Sequence, residues 1–188
     1  ESRAAIAGGV TSFIEMPNTI PNTTNNSALN EKIEIAKSKS FANFSFMFGG
    51  TNYNLDDILS VDDNNIAGIK LFLGSSTGNM LIDNHKVIEE IFRNTKLPIS
   101  VHCEDEDIIK KNLINYINKY GDDIPIDLHP EIRNEEACYK SSKFAIELAK
   151  RTNARLNVFH ISTAKELDLF DNKLPLRQKK ITSEACAH

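Results

Sequence analysis

The sequence predicts an α/β protein built on a parallel, barrel-type sheet. Apolar strand-like runs alternate with helix-like runs along the whole chain, the signature of repeated βα units. Three of those runs carry a ligand-capable group near their C-terminal end. They are Lys70 in Ile66-Ala-Gly-Ile-Lys-Leu-Phe-Leu-Gly74, His102 after Ile99-Ser-Val101, and His160 after Leu156-Asn-Val-Phe159. C-terminal strand ends of a parallel sheet share one face, so such groups can converge on a common mouth.

The elements follow in order. Residues 1–7 are helical in pattern and end at Gly8-Gly9, and residues 10–15 are a strand. Residues 16–25, with two prolines and several asparagines, are a loop. Ser27 is the expected N-cap, with Glu31 near the capping-box position, of a helix reaching about Ser38. Residues 44–48 form a strand stopped by Gly49-Gly50, 55–60 a short helix, 66–73 the lysine strand and 74–79 a loop. A helix over 84–93 leads to the first histidine strand, 99–102. Residues 104–120 show helical apolar spacing at Ile108, Ile109, Leu113 and Ile117. A loop over 121–130 precedes a helix over 135–151, the second histidine strand at 156–160, a helix over 164–170 and a last strand at 181–186. These are about six βα units, too few to close an eight-stranded barrel.

Composition narrows the function classes. The chain has 188 residues, 40% of them hydrophobic, enough for one sizeable core. Its net charge of −4 is spread along the sequence, and no basic block argues for nucleic acid or a membrane surface. No apolar run approaches a membrane span, and no signal-peptide pattern opens the chain. Cys103, Cys138 and Cys186 are odd in number and irregular in spacing, which fits a reduced, cytoplasmic protein. The first residues read as the middle of a helix and the last as a strand just finished. The expectation is therefore a piece of a longer chain.

A single histidine after an apolar strand is ordinarily structural. Two at matching strand ends argue for a shared site, and neutral imidazole suits Zn²⁺. Lys70 is either a residue snorkelling from a strand edge or a buried amine that must be paired or neutralised. Asn18 is either a turn residue after Pro17 or an amide donor. Asp105 suits the start of a helix, and Glu104 either does the same or supports His102. Arg133 is either near the site or in a surface ion pair. His85 and His129 are expected at an exposed helix start and in a loop.

Five motifs, in order, resemble the successive strand-end motifs of the dihydroorotase family, within the amidohydrolase superfamily. They are Gly8-Gly-Val-Thr-Ser-Phe-Ile-Glu-Met-Pro-Asn-Thr19, Gly68-Ile-Lys-Leu-Phe-Leu73, Val101-His-Cys-Glu-Asp105, His160-Ile-Ser-Thr163 and Thr182-Ser-Glu-Ala-Cys-Ala-His188. The resemblance implies a TIM-like (β/α)8 barrel. Residues 1–188 would be the central portion of that single metal-dependent hydrolase domain, about strands 2 to 7. It implies Lys70 as a catalytic, carboxylated lysine bridging two Zn²⁺ ions, with His102 and His160 as ligands of one of them. A hydroxide activated by the metals would attack the ring amide of dihydroorotate to give N-carbamoyl-L-aspartate. Asn18 would bind the substrate carboxylate. The implied partners are this small-molecule substrate and, as a candidate assembly, a homodimer, with no nucleic acid and no membrane.

The family's first-strand His-x-His pair, the arginine after it and its last-strand aspartate are absent from this sequence. The 188 residues alone are therefore expected to be inactive, and the parent protein active. The same motifs leave open an allantoinase or a hydantoinase/dihydropyrimidinase, and a non-catalytic dihydroorotase-like scaffold.

Overall fold

The computed structural model describes residues 1–62, 64–74 and 80–186. The chain forms α1 (Ser2–Ala7), β1 (Ser12–Glu15), α2 (Asn26–Lys39), β2 (Asn43–Gly49), α3 (Leu55–Ser60), β3 (Gly68–Phe72) and α4 (His85–Asn94). There follow β4 (Ile99–His102), α5 (Glu106–Tyr120), α6 (His129–Ile132), α7 (Glu135–Thr152), β5 (Leu156–Val158), α8 (Ala164–Leu167) and β6 (Ile181–Ser183). The six strands lie in the order β1-β2-β3-β4-β5-β6, and every neighbouring pair is parallel. At least one helix fills each crossover. This is the winding of a (β/α) barrel, with β1 and β6 at the two edges.

Alternation along the strands gives the sheet two different faces. One row of facing residues runs Phe48, Ile69, Ile99, Leu156, Ile181. With Leu71, Val101 and Val158 it packs against Ile88, Ile91 and Phe92 of α4 and Ile146, Leu148 and Ala149 of α7, forming the apolar core. The neighbouring row runs Gly49, Lys70, Ser100, Asn157, Thr182. Its side chains point to the other face, where Thr182 Oγ1 donates to Asn157 Oδ1 at 2.8 Å. The helices thus cover an apolar layer, and the opposite face carries polar groups from consecutive strands.

Local structure departs from expectation where two signals compete. The N-cap of α2 is Asn25, whose Oδ1 accepts from Ala28 N at 2.9 Å, and Ser27 lies inside the helix. Both residue types cap well, so type alone did not decide between them. Helix α8 stops at Leu167 because Leu169 N and Phe170 N bond to the carbonyls of Glu166 and Leu167, tightening the last turn to 3₁₀ geometry. The expected loop over 121–130 holds a 3₁₀ turn at Ile126–Leu128 and the start of α6, with Pro130 in its first turn. Residues 75–79 of the expected loop after the lysine strand lie outside the described residues. No described helix is long and apolar enough to cross a membrane, and all three cysteines are free thiols.

Gly68 opens β3 directly against Pro98, the residue that leads into β4. A Cβ there would stand 2.4 Å from the Pro98 carbonyl oxygen, the acceptor of the Ile69 N–H. The clash is with backbone, so the two strands would have to part. Gly68→Ala is expected to cost roughly 1–3 kcal/mol, read as a lower urea midpoint with an unchanged slope. A midpoint equal to wild type would contradict this strand register.

Candidate active site

The site is built on β3, β4 and the turn after β5. All five residues of β3 are buried, and the strand sits between β2 and β4, so Lys70 is not on a strand edge. It is 2% exposed, which excludes the snorkelling alternative. Its Nζ has no hydrogen-bond partner among the described residues. Instead the amine lies 4.7 Å from the Phe72 ring centroid and 4.3 Å from that of Phe159. Phe72 is there by alternation, two residues further along the same face. Burial, opposed by Cys103 and Glu184, lowers the Lys70 pKa to about 7. A large share of the amine is therefore neutral near neutral pH.

His102 is the last residue of β4. His160 follows β5 with a left-handed backbone, φ 38°, uncommon for a residue with a side chain and costly by about 1 kcal/mol or more. Ladder-type bonds hold it on both sides: Phe159 N donates to Val101 O at 3.0 Å, and Ile161 N to Glu184 O at 2.7 Å. The result is that His102 Nδ1 and His160 Nε2 face each other at 3.2 Å, the rings nearly edge-on with centroids 5.0 Å apart. Burial first, then the charges of His102 and Lys70, hold the His160 pKa below its ordinary value. Its ring is neutral at pH 7, the form a metal ligand requires.

This donor set fits zinc. Two imidazole nitrogens bound to one tetrahedral zinc at about 2.0–2.1 Å stand about 3.3 Å apart, close to the 3.2 Å seen here. No three His, Cys, Asp or Glu side chains gather into a metal cage among the described residues, so a metal here also needs Lys70. A neutral lysine amine can add CO₂, lose a proton and become an anionic carbamate with two ligand oxygens. That change would also give the buried, unsatisfied nitrogen a reason to exist.

The structure therefore brings Lys70, His102 and His160 together. Asn18 is exposed on the loop after the edge strand β1, where Pro17 packs against Gly49, the residue of β2 in register with Lys70. Asp105 caps α5, accepting from Ile108 N at 3.0 Å, as its position suggested. Glu104 is buried within 2.7 Å of His102 Nε2 and is also gripped by Arg133, which is half-buried. Cys103 is buried, and burial pushes its thiol up to about 12, away from any nucleophilic role. His85, against the Phe144 ring at 4.8 Å, and His129 are exposed at the starts of α4 and α6. His188 lies outside the described residues. Sequence reasoning missed Phe72, Phe159 and Glu184, whose carboxylate acts on both Lys70 and His160. Alternation could have found Phe72, and Glu184 lies inside the motif over 182–188, but no local signal marks Phe159.

The depressed Lys70 pKa has a measurable sign. Its folded value of about 7 lies below the ordinary lysine value of 10.5, so between those pH values the unfolded chain holds the extra proton and stability rises with pH. Lys70→Met is expected to remove that slope and to stabilise the metal-free protein at pH 7 by several kcal/mol, at about 1.4 kcal/mol per pKa unit. Urea unfolding of both proteins at pH 7 and pH 10, without metal or CO₂, measures the difference. Equal slopes for the two would mean that the amine is not buried as described.

Comparison with known proteins adds a family to this geometry. No family model matches the chain. The dihydroorotase of Methanosphaera stadtmanae is 33% identical over 174 residues, 89% of this chain and 38% of that protein. The allantoinase of Bacillus licheniformis is 30% identical over 201 residues, 100% of this chain and 43% of that protein. The L-hydantoinase (dihydropyrimidinase) of Arthrobacter aurescens superposes with a TM-score of 0.86 at 26% identity, over 98% of this chain and 41% of that one. The chain thus spans about two fifths of the length of the relatives it matches, and its open six-stranded sheet matches part of an amidohydrolase TIM-type barrel. Sequence and fold agree, and the chain is a dihydroorotase-like member of the amidohydrolase family.

Proposed function

We propose that the protein carrying this chain is a dihydroorotase. It would open the cyclic amide of dihydroorotate to N-carbamoyl-L-aspartate, reversibly, and run toward ring closure in de novo pyrimidine biosynthesis. One observation carries the reading: a buried Lys70 amine without a hydrogen-bond partner among the described residues, acting on His160, whose Nε2 faces His102 Nδ1. Lys70 as a carbamate, His102 and His160 would hold zinc. When bound, zinc supplies polarisation of the scissile carbonyl and a lower pKa for the attacking water.

The chain's own residues have separate tasks in this reading. Phe72 and Phe159 keep water away from Lys70 and leave its amine neutral for CO₂. The strand ladder on either side of His160 fixes its ring toward His102, so the ligand nitrogens are set before any metal arrives. Asn18 presents a side-chain amide, a donor suited to the substrate carboxylate. Hydrolysis breaks the ring C–N bond, the carbonyl carbon gains the water oxygen and the leaving nitrogen takes a proton. The free thiols are in keeping with a cytoplasmic enzyme.

A second reading, allantoinase or hydantoinase, is favoured by the 30% identity to an allantoinase and the close superposition on a hydantoinase. Met16-Pro17-Asn18 favours the anionic substrate, because a carboxylate needs a donor beside it. A non-catalytic scaffold is disfavoured because Lys70, His102 and His160 are all in place.

The test is a substrate panel of dihydroorotate, allantoin and hydantoin with the full-length, zinc-loaded protein. Dihydroorotate is expected to be preferred, and Lys70→Ala to lower its turnover by roughly 10³-fold, the loss of several kcal/mol of transition-state stabilisation. Preference for allantoin or hydantoin would replace the substrate. Neither turnover nor bound zinc would leave only the scaffold.

A further inference from the structure

Glu104 and Arg133 lie outside the proposed ligand set yet are tied to it. Glu104 leaves β4 two residues after His102 and is 7% exposed. Its backbone is pinned from two directions. A Cβ on Gly74 would stand 2.7 Å from the Glu104 carbonyl oxygen, so the exit of β3 packs directly on it. The next residue, Asp105, donates its N–H to Ala137 O at 3.0 Å and caps α5. Held there, the carboxylate places Oε2 2.7 Å from His102 Nε2. Arg133, between α6 and α7, grips the same carboxylate with two donors. Its Nε donates to Oε1 at 2.8 Å, and its Nη2 donates to Oε2.

We infer that Arg133 and Glu104 are a positioning pair that selects the tautomer of His102 and turns its Nδ1 lone pair toward His160. A carboxylate held by a guanidinium fork is an acceptor at both oxygens and has no proton to give. The imidazole nitrogen that faces it must therefore carry the hydrogen. That nitrogen is Nε2, which leaves the lone pair of the neutral ring on Nδ1. Nδ1 is the atom 3.2 Å from His160 Nε2, where the other tautomer would put an N–H in the path of a metal.

The alternative is an ion pair that only fastens the segment between α6 and α7 to the sheet. Burying the Glu104 carboxylate is costly, and an apolar contact would fasten that segment as well. What an apolar contact could not do is dictate which ring nitrogen of His102 is protonated.

The inference rests on the reading of His102 as a metal ligand, and its test keeps the two apart. In metal-free protein labelled with ¹⁵N-histidine, NMR reads the tautomer of the His102 ring, assigned by its loss in His102→Asn. Chelator competition reads zinc affinity. Wild type is expected to hold His102 as the Nε2–H form. Glu104→Gln can donate an amide N–H to Nε2, so the Nδ1–H form should appear and zinc affinity fall by roughly 10- to 100-fold. Arg133→Lys keeps a cation on the carboxylate and is expected to retain the tautomer and most of the affinity, whereas Arg133→Leu should lose both. The Arg133 variants carry the test if Glu104→Gln does not fold. A folded Glu104→Gln or Arg133→Leu with only the Nε2–H form and wild-type zinc affinity would overturn the pairing. So would a wild-type ring in the Nδ1–H form, whatever the zinc result. Wild type that binds no zinc but holds the Nε2–H form would remove the metal reading and support the tautomer selection.

Discussion

A lysine buried on a central strand constrains everything around it. Nothing on the polar face gives the Lys70 amine a hydrogen bond among the described residues, and an ammonium there would be poorly compensated. The protein answers with two aromatic rings and a depressed pKa rather than with a buried counter-ion. In ordinary structural terms this is a defect, since a methionine would fill the space without cost. It makes sense if the amine is unfinished and a covalent addition supplies the charge and the oxygens that the pocket lacks. The neutral His160 and the paired imidazole nitrogens are then parts of the same requirement.

The sheet separates two tasks that share the same strands. Ile69, Ile99 and Leu156 point toward α4 and α7 and carry the stability of the core. Lys70 and Ser100 point the other way, one residue along. A strand that repeats every two residues can serve packing and chemistry at once, provided its register does not slip. Close backbone contacts such as Gly68 against Pro98 and Gly74 against Glu104 fix that register next to the site.

Much of this was legible in the sequence, for physical reasons. The apolar run around Lys70 and the Pro98-led run into His102 read as strands because β-branched and apolar residues cluster between turn signals. Matching placement of His102 and His160 at strand ends implied convergence, since parallel strands end on one side. The five resembling motifs added roles that spacing could not assign. What stayed illegible depends on three-dimensional return. Arg133 reaches Glu104 across helix α5, and no periodicity announces which of two nearby acids an arginine will find. Phe159 was visible only as part of an apolar strand, and its closure over Lys70 depends on how far β5 stands from β3. The left-handed turn at His160 is likewise set by flanking strand bonds, not by residue type.

Phe159 and His160 are neighbours in the chain, and this adjacency orders events during vectorial synthesis. Strands that pair only with their sequence neighbours can dock as they emerge, each onto one already in place. Lys70 remains without one of its two aromatic walls until β5 docks. The docking that brings Phe159 against the amine also delivers His160 to His102.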